Sequence, residues 1–334
     1  MRDVAALAGV SLKTVSRVIN REAGVSPEVV ARVDDAAAQL DYRPDLNASN
    51  LRRGDGRTGT IGLLLEDVAN EFSSAAHAGV EFVARTLGIS VLASSTHEDR
   101  DRERNLVRTL SSRRVDGLII APSPGDQDYL AAEVAQGVPI VFIDRAGRGL
   151  AAPSVLSDNH VGAQRGVEQL LARGHRRIAF VGGTATLVTA QERYQGFLDA
   201  MARADVPVDP HLVHRDVVSA EQSAALVREL FSGSMHPTAI FSAQNMITMG
   251  AVRALRELHL QHRVALIGFD DFTLADLLDP GVAVVAQDPR TIGQKAAELL
   301  VDMMKDPSLI RSKVADVIVP TTVIMRPSGE IRPA

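Results

Sequence analysis

Several groups of residues in this sequence have types and spacings that could do chemistry. Leu12, Lys13 and Arg17 lie at the start and along one face of a short helical pattern opened by Ser11. A guanidinium can fork onto the N7 and O6 edge of guanine, and an ammonium can donate to the same edge. The plainer possibility is a solvated helix face. Asp144-Arg145 follows an apolar run of strand length, and Asp270-Asp271 follows another. The second pair could be read as catalytic carboxylates. Adjacent residues at one strand end point apart, however, and no nucleophile elbow, P-loop or dinucleotide fingerprint accompanies them, so no enzyme is expected. His211-x-x-His214 and His259-x-x-His262 invite a metal. The first sits on an apparent strand and the second at a helix end, without a supporting carboxylate cluster, so neither a metal site nor a cofactor is expected.

The elements that must position these residues fall into two regimes. Residues 2–42 hold three short helical patterns and no strand pattern. Gly9-Val10-Ser11 is a turn, and Ser11 is a good N-cap for the helix carrying Val15, Val18 and Ile19. Ser26-Pro27-Glu28 starts a third helix lined by Val29, Val30, Val33, Ala37 and Leu40. Two short helices joined by a Gly-containing turn and braced by a third describe a helix-turn-helix. Gly54, Gly56 and Gly59 then punctuate a hydrophilic link. From residue 60 the rhythm becomes strand, helix, strand, helix. Apolar runs lie at 61–65, 89–93, 118–121, 140–143, 178–181, 238–241, 264–267 and 282–285, with helical patterns such as 72–87, 103–110, 161–171 and 190–201 between them. That alternation predicts parallel sheets covered on both faces, in two similar lobes, with ligands beyond the carboxyl ends of the strands.

Bulk properties narrow the class. The 334 residues suit two or three domains, and 46% hydrophobic with 23% charged is ordinary for a globular protein. Aromatics are 4% with no Trp, so the core must be built from Ala, Val, Leu and Ile. The absence of Cys excludes disulfides and thiolate metal sites. No secretory pattern and no apolar run of membrane-spanning length is visible, which favours a cytoplasmic protein without a membrane partner. The net charge of −5 disfavours a protein coated in nucleic acid but permits a local basic face.

The run Asp3-Val4-Ala5-x-x-Ala8-Gly9-Val10-Ser11-x-x-Thr14-Val15-Ser16-Arg17-Val18-x-Asn20 resembles the lactose-repressor (LacI/GalR) family of bacterial regulators. The match continues through Val25-Ser26, Tyr42-Arg43-Pro44, Leu51 and Ile61-Gly62-Leu63. Further on it takes in Ile143-Asp144-Arg145, Gly174-His175-Arg176-Arg177-Ile178, Arg193-Tyr194-Gln195-Gly196-Phe197 and Ile267-Gly268-Phe269-Asp270-Asp271. The resemblance implies an N-terminal all-α helix-turn-helix DNA-binding domain (1–45), a hinge helix and linker (46–59), and a two-lobed α/β sensor like periplasmic binding proteins (60–334). One lobe would comprise about 60–157 and 289–316, the other about 158–288 and 317–330, joined by three chain crossings. It further implies a homodimer on a near-palindromic operator, repressing carbohydrate uptake or catabolism genes under a sugar-like effector. An activator, or a repressor needing a non-sugar corepressor, stays open, and a transport-type sugar-binding protein is the more distant alternative.

The same resemblance assigns roles. Leu12, Lys13 and Arg17 would meet base edges, and Thr14, Ser16 and Asn20 phosphates. Ala48 and Leu51 would sit in a hinge helix that wedges the minor groove. Asn70, Phe72, Asp144, Arg145, Arg193, Gln244, Asn245, Asp270 and Gln287 would line the effector cleft, where charged forks suit hydroxyls that both donate and accept. For Arg193 and Asp270 the alternative is a structural ion pair between the lobes. Several positions depart from the family: Ser49 replaces an Arg, Ser73 an aromatic, Gln244-Asn245 an Asn-Asp, and Val218 falls near a usual aromatic. A cleft with fewer stacking platforms is therefore expected. Only Met1-Arg2 precede Asp3, so either the chain starts further upstream or Asp3 caps a shortened helix.

Overall fold

A computed structural model describes residues 1–19, 22–42, 57–233, 236–311 and 315–333. The chain forms two units, Met1–Gly59 and Thr60–Ala334. In the first, α1 (Arg2–Ala8), α2 (Leu12–Ile19) and α3 (Pro27–Gln39) enclose Val4, Ala5, Ala8, Val15, Val18, Val33 and Ala36. Gly9 ends α1 in the left-handed conformation at φ 65°, which glycine adopts without steric cost. Ser26 caps α3 by accepting from the Val29 amide. Asp3 lies in the first turn of α1, and Met1 at its N-cap makes no side-chain capping bond, so Asp3 is not the cap.

The second unit has two lobes of matching design. The first begins with β1 (Thr60–Leu65), α4 (Glu71–Thr86), β2 (Ser90–Ser95), α5 (Arg100–Ser112) and β3 (Leu118–Ile120). It continues with α6 (Ala131–Ala135), β4 (Ile140–Asp144) and β5 (Ser154–Ser157). The second lobe holds α7 (Asn159–Ala172), β6 (Ile178–Val181), α8 (Val188–Arg203), β7 (Val213–His214) and α9 (Ala220–Leu230). It also holds β8 (Ala239–Ser242), α10 (Asn245–Glu257), β9 (Ala265–Phe269) and β10 (Ala283–Ala286). The chain returns to the first lobe through α11 (Pro289–Lys305) and β11 (Val317–Val319), then to the second through β12 (Thr322–Ile324) and α12 (Pro327–Glu330).

The sheet orders are β11-β5-β4-β3-β1-β2 and β12-β10-β9-β8-β6-β7. Among the described residues every strand pairing is parallel except that of β12 with β10. Side chains alternate faces as strands require: Ile61, Leu63 and Leu65 pack with Val80, Ile292 and Ala296, whereas Leu64 packs with Val107 and Leu110. The second lobe repeats this, with Phe180, Phe197, Phe241 and Phe269 on one face and Val227, Ile247 and Leu255 on the other.

Two features depart from the expectations above. All eight apolar runs became strands, and β7 falls within the apparent strand at His211–His214, but β5, β11 and β12 were not anticipated; at three or four residues each they are too short for a periodic signal. The last crossing also shifts. Residues 317–319 belong to the first lobe, because β11 pairs in parallel with β5 through Val317–Val155 and Val319–Ser157, and Val319 enters that lobe's core. The chain therefore crosses at Pro320-Thr321 rather than before residue 317. There the Thr321 amide donates to the Asp158 carboxylate at 2.6 Å, tying the first crossing to the third.

Three helix pairs cross where glycine lets backbones touch. A Cβ at Gly293 would overlap the Ala76 carbonyl of α4, one at Gly196 the His160 carbonyl of α7, and one at Gly250 the Ala220 carbonyl of α9. Ala is favoured over Gly by about 1 kcal/mol in a helix, but backbone cannot move aside as a side chain can, and overpacking costs ~1–3 kcal/mol or more. Gly293→Ala and Gly196→Ala should each lower stability in urea unfolding followed by circular dichroism. A raised midpoint in either would mean the pair has slack.

Candidate nucleic-acid interface and effector cavity

In the N-terminal unit, α2 presents two faces. Val15 and Val18 are buried, whereas Leu12 and Lys13 are exposed and Thr14, Ser16 and Arg17 are partly so. Ser11 starts the helix: its Oγ accepts from the Thr14 amide at 3.1 Å and shares a bond with the Thr14 hydroxyl at 2.9 Å. Arg17 is turned toward the loop behind α2. Its guanidinium donates to the Ala23 carbonyl at 2.5 Å and lies 3.6 Å from the Glu22 carboxylate. An exposed pair of this kind is worth about 1 kcal/mol or less, so Arg17 can be recruited by a stronger partner at small cost. Asn20, Ala48 and Leu51 lie outside the described residues.

The second unit holds a cavity of about 530 Å³ between the lobes, at the carboxyl ends of both sheets. Asn70, Phe72, Asp144, Arg145, Arg193, Gln244, Asn245, Asp270 and Gln287 all line it. Each sheet reverses its strand order beside its first strand, at β1/β3 and β6/β8. Open α/β sheets bind ligands at such points. Asn70 caps α4 by accepting from the Phe72 amide at 2.9 Å, which fixes the loop carrying Phe72. Among the described lining residues Phe72 is the only Phe, Tyr or Trp, and His97 adds an imidazole. Ser73, in the place of a second ring, is buried in α4 and absent from the lining; Val218 lines the cavity and is 63% exposed.

Two buried arginines organise the polar surface. Arg193 donates from Nε to Asn159 at 2.9 Å and from Nη1 to the Ala243 carbonyl at 2.8 Å. It lies 3.6 Å from Asp270, and its guanidinium sits over the Phe269 ring at 3.9 Å. Arg193 and Asp270 belong to the same lobe, so the pair does not bridge the lobes as the alternative reading required. Gln287, at the crossing, donates to Asp270. Burial pushes the Asp270 carboxyl above the usual carboxylate range, against the pull of Arg193 and the Gln287 hydrogen bond. Arg145 pairs with Asp144 at 2.9 Å and Glu98 at 3.1 Å. Burial opposes its charge, but Asp144, Glu98 and Glu66 outweigh burial and raise its pKa. Across the mouth, the Thr273 amide of the second lobe donates to the Glu71 carboxylate of the first at 2.8 Å.

The lining also contains Glu66, Asp67, His97 and Glu98, which the sequence reading missed. Glu66-Asp67 directly follow the run 61–65, and Glu98 follows β2. The rule that ligands gather at strand carboxyl ends could have found them. The histidine pairs are surface features: His214 bonds to the His211 carbonyl, and His262 lies 3.6 Å from Asp279. Among the described residues, no cluster of His, Asp or Glu is arranged to hold a metal ion, and no helix is long and apolar enough to cross a membrane.

Comparison with known proteins agrees with this geometry. Residues 1–45 match the family described as bacterial regulatory proteins, lacI family. Residues 58–324 match the periplasmic binding proteins and sugar binding domain of the LacI family. The ribose operon repressor of Haemophilus influenzae is 31% identical over 311 residues, 92% of each chain. The transcriptional repressor PurR of Vibrio cholerae is 29% identical over 309 residues, 92% of this chain and 91% of that one. The lac repressor dimer bound to operator and the anti-inducer ONPF superposes with a TM-score of 0.84 at 28% identity, covering 98% of both chains. With a helix-turn-helix at one end, a two-lobed binding fold behind it and both domains matched in order, the chain belongs to the LacI family of bacterial regulators.

Proposed function

We propose that this protein is a dimeric repressor of carbohydrate uptake or catabolism genes, controlled by a small polyhydroxylated effector held between the sensor lobes. One observation carries the reading: nine side chains singled out from scattered positions in the sequence line a single cavity of about 530 Å³. That volume suits a small ligand. The lining is rich in charged and amide groups, and hydroxyls can both donate to its carboxylates and accept from its guanidinium groups. The similarity to a ribose operon repressor supports the same class of effector. On the DNA side, Lys13 and Arg17 on the exposed face of α2 would read base edges while Thr14 and Ser16 position the helix on phosphates. A dimer would place two such helices on the half-sites of a pseudo-palindrome.

Two experiments test these assignments. Arg17→Ala should weaken binding to the natural operator by about 1–3 kcal/mol and relax preference at one base pair per half-site. Fluorescence anisotropy on a set of single-base operator variants reads both quantities; unchanged affinity with unchanged preference would remove Arg17 from the interface. For the cavity, Arg193→Ala and Asp270→Asn should each reduce affinity for the sugar that releases the protein from operator, by about 1.5–3 kcal/mol. Operator binding without sugar should persist. Calorimetry showing wild-type sugar affinity in both variants would place the effector elsewhere.

A further inference from the structure

The cavity is far more acidic than a neutral sugar requires. Five carboxylates line it, those of Glu66, Asp67, Glu98, Asp144 and Asp270, against two guanidinium groups, those of Arg145 and Arg193. Most of this charge is already engaged. Arg145 is shared by Asp144 and Glu98, and Arg193 and Gln287 face Asp270. Asp67 accepts from the Ala69 amide. Glu66 is different: among the described residues its carboxylate makes no hydrogen bond and no ion pair, although it faces Glu98, Asp144, Asp67 and the already shared Arg145. It stands at the carboxyl end of β1, and the backbone bond from the His97 amide to the Glu66 carbonyl at 2.8 Å holds the segment carrying Glu98 beside it.

We propose that the effector carries a cationic nitrogen on its polyhydroxylated frame, as an amino sugar or amino polyol does, with that charge seated against Glu66 and Glu98. The proposal rests on the effector reading above and narrows it. A cation at this position supplies the partner that Glu66 lacks and offsets the excess of negative charge. A neutral polyol cannot do so, and closing over it removes water from an uncompensated carboxylate. The unliganded protein relieves the same excess by protonation, since burial first and Glu98 second push the Glu66 carboxyl up to about 7.

The sign of proton linkage separates the two kinds of ligand. A cation lowers the pKa of Glu66, so binding near pH 7 releases a proton from the fraction of molecules that hold one. Affinity rises with pH up to the unliganded pKa while protons are released, and levels off above it as release fades. A neutral ligand that further buries Glu66 raises its pKa, takes up protons and binds less tightly as pH rises.

The test is calorimetry on the full-length protein at pH 7, in two buffers of different ionisation enthalpy. The probes are pairs differing in an amine for a hydroxyl: D-glucosamine with D-glucose, D-galactosamine with D-galactose, and glucamine with D-sorbitol. In at least one pair the amine should bind roughly tenfold or more tightly than its partner, the scale of one charge-assisted hydrogen bond. Glu66→Gln should abolish that advantage, with the neutral partner binding the variant no less tightly than the wild type because the desolvated carboxylate is gone. Glucamine, whose ammonium stays protonated well above neutrality, reports the proton count; net release supports the assignment and net uptake overturns it. If neutral members bind as well as their amines, with affinity that Arg193→Ala reduces, the cationic effector is refuted and the polyhydroxylated effector stands. If no member of any pair binds, both readings fall.

Discussion

In a parallel sheet every strand ends on the same edge, and the loops that follow gather there. The rest of the sensor depends on that polarity. Glu66 and Glu98 follow β1 and β2, and Asp144-Arg145 stand at the end of β4, in one lobe; Ala243, Asp270 and Gln287 follow β8, β9 and β10 in the other. Because the chain crosses between lobes three times, the two edges face a common space. The Asp158–Thr321 bond at 2.6 Å joins two of those crossings and keeps them side by side. Residues more than a hundred positions apart thus line one cavity without any local sequence signal linking them.

Electrostatics then decides how the space is used. A buried guanidinium loses several kcal/mol of hydration, so it persists only when held by partners of good geometry. Arg193 has Asn159, the Ala243 carbonyl, Asp270 and the Phe269 face; Arg145 has Asp144 and Glu98. Each arginine is thereby held at the cavity wall in one orientation before any ligand arrives. The two lobes place their key aspartates alike: Asp144 and Asp270 each end a strand with φ of 66° and 70°. A non-glycine residue in that region costs on the order of 1 kcal/mol or more, and here the left-handed turn accompanies a carboxylate paired with arginine at the cavity.

The DNA-binding unit solves a smaller problem. An eight-residue helix is too short to be stable alone. Packing of Val15 and Val18 against α1 and α3 supplies what propensity cannot, and the Ser11 cap satisfies an amide that would otherwise lack a partner. What remains is an outward face with few internal obligations, and the weak tie of Arg17 to Ala23 and Glu22 leaves that side chain available.

The sequence by itself determined the helix-turn-helix, because caps and 3.6-residue spacing are local, and the strand-helix rhythm, because buried parallel strands are continuous apolar runs. Its motifs also named the nine residues that the structure gathers in one cavity. Only the tertiary structure decided the rest. The short strands β5, β11 and β12 exist through pairing with longer neighbours, so nothing in their own residues announces them. The third crossing moved to Pro320-Thr321 because Val319 gains burial in the first lobe. The acidity of the cavity was invisible for the same reason. Glu66 and Glu98 read as ordinary charges after strands until β1 and β2 pair and bring them to the wall of one largely buried cavity, and the energy of a charge depends on its surroundings far more than on its place in the chain.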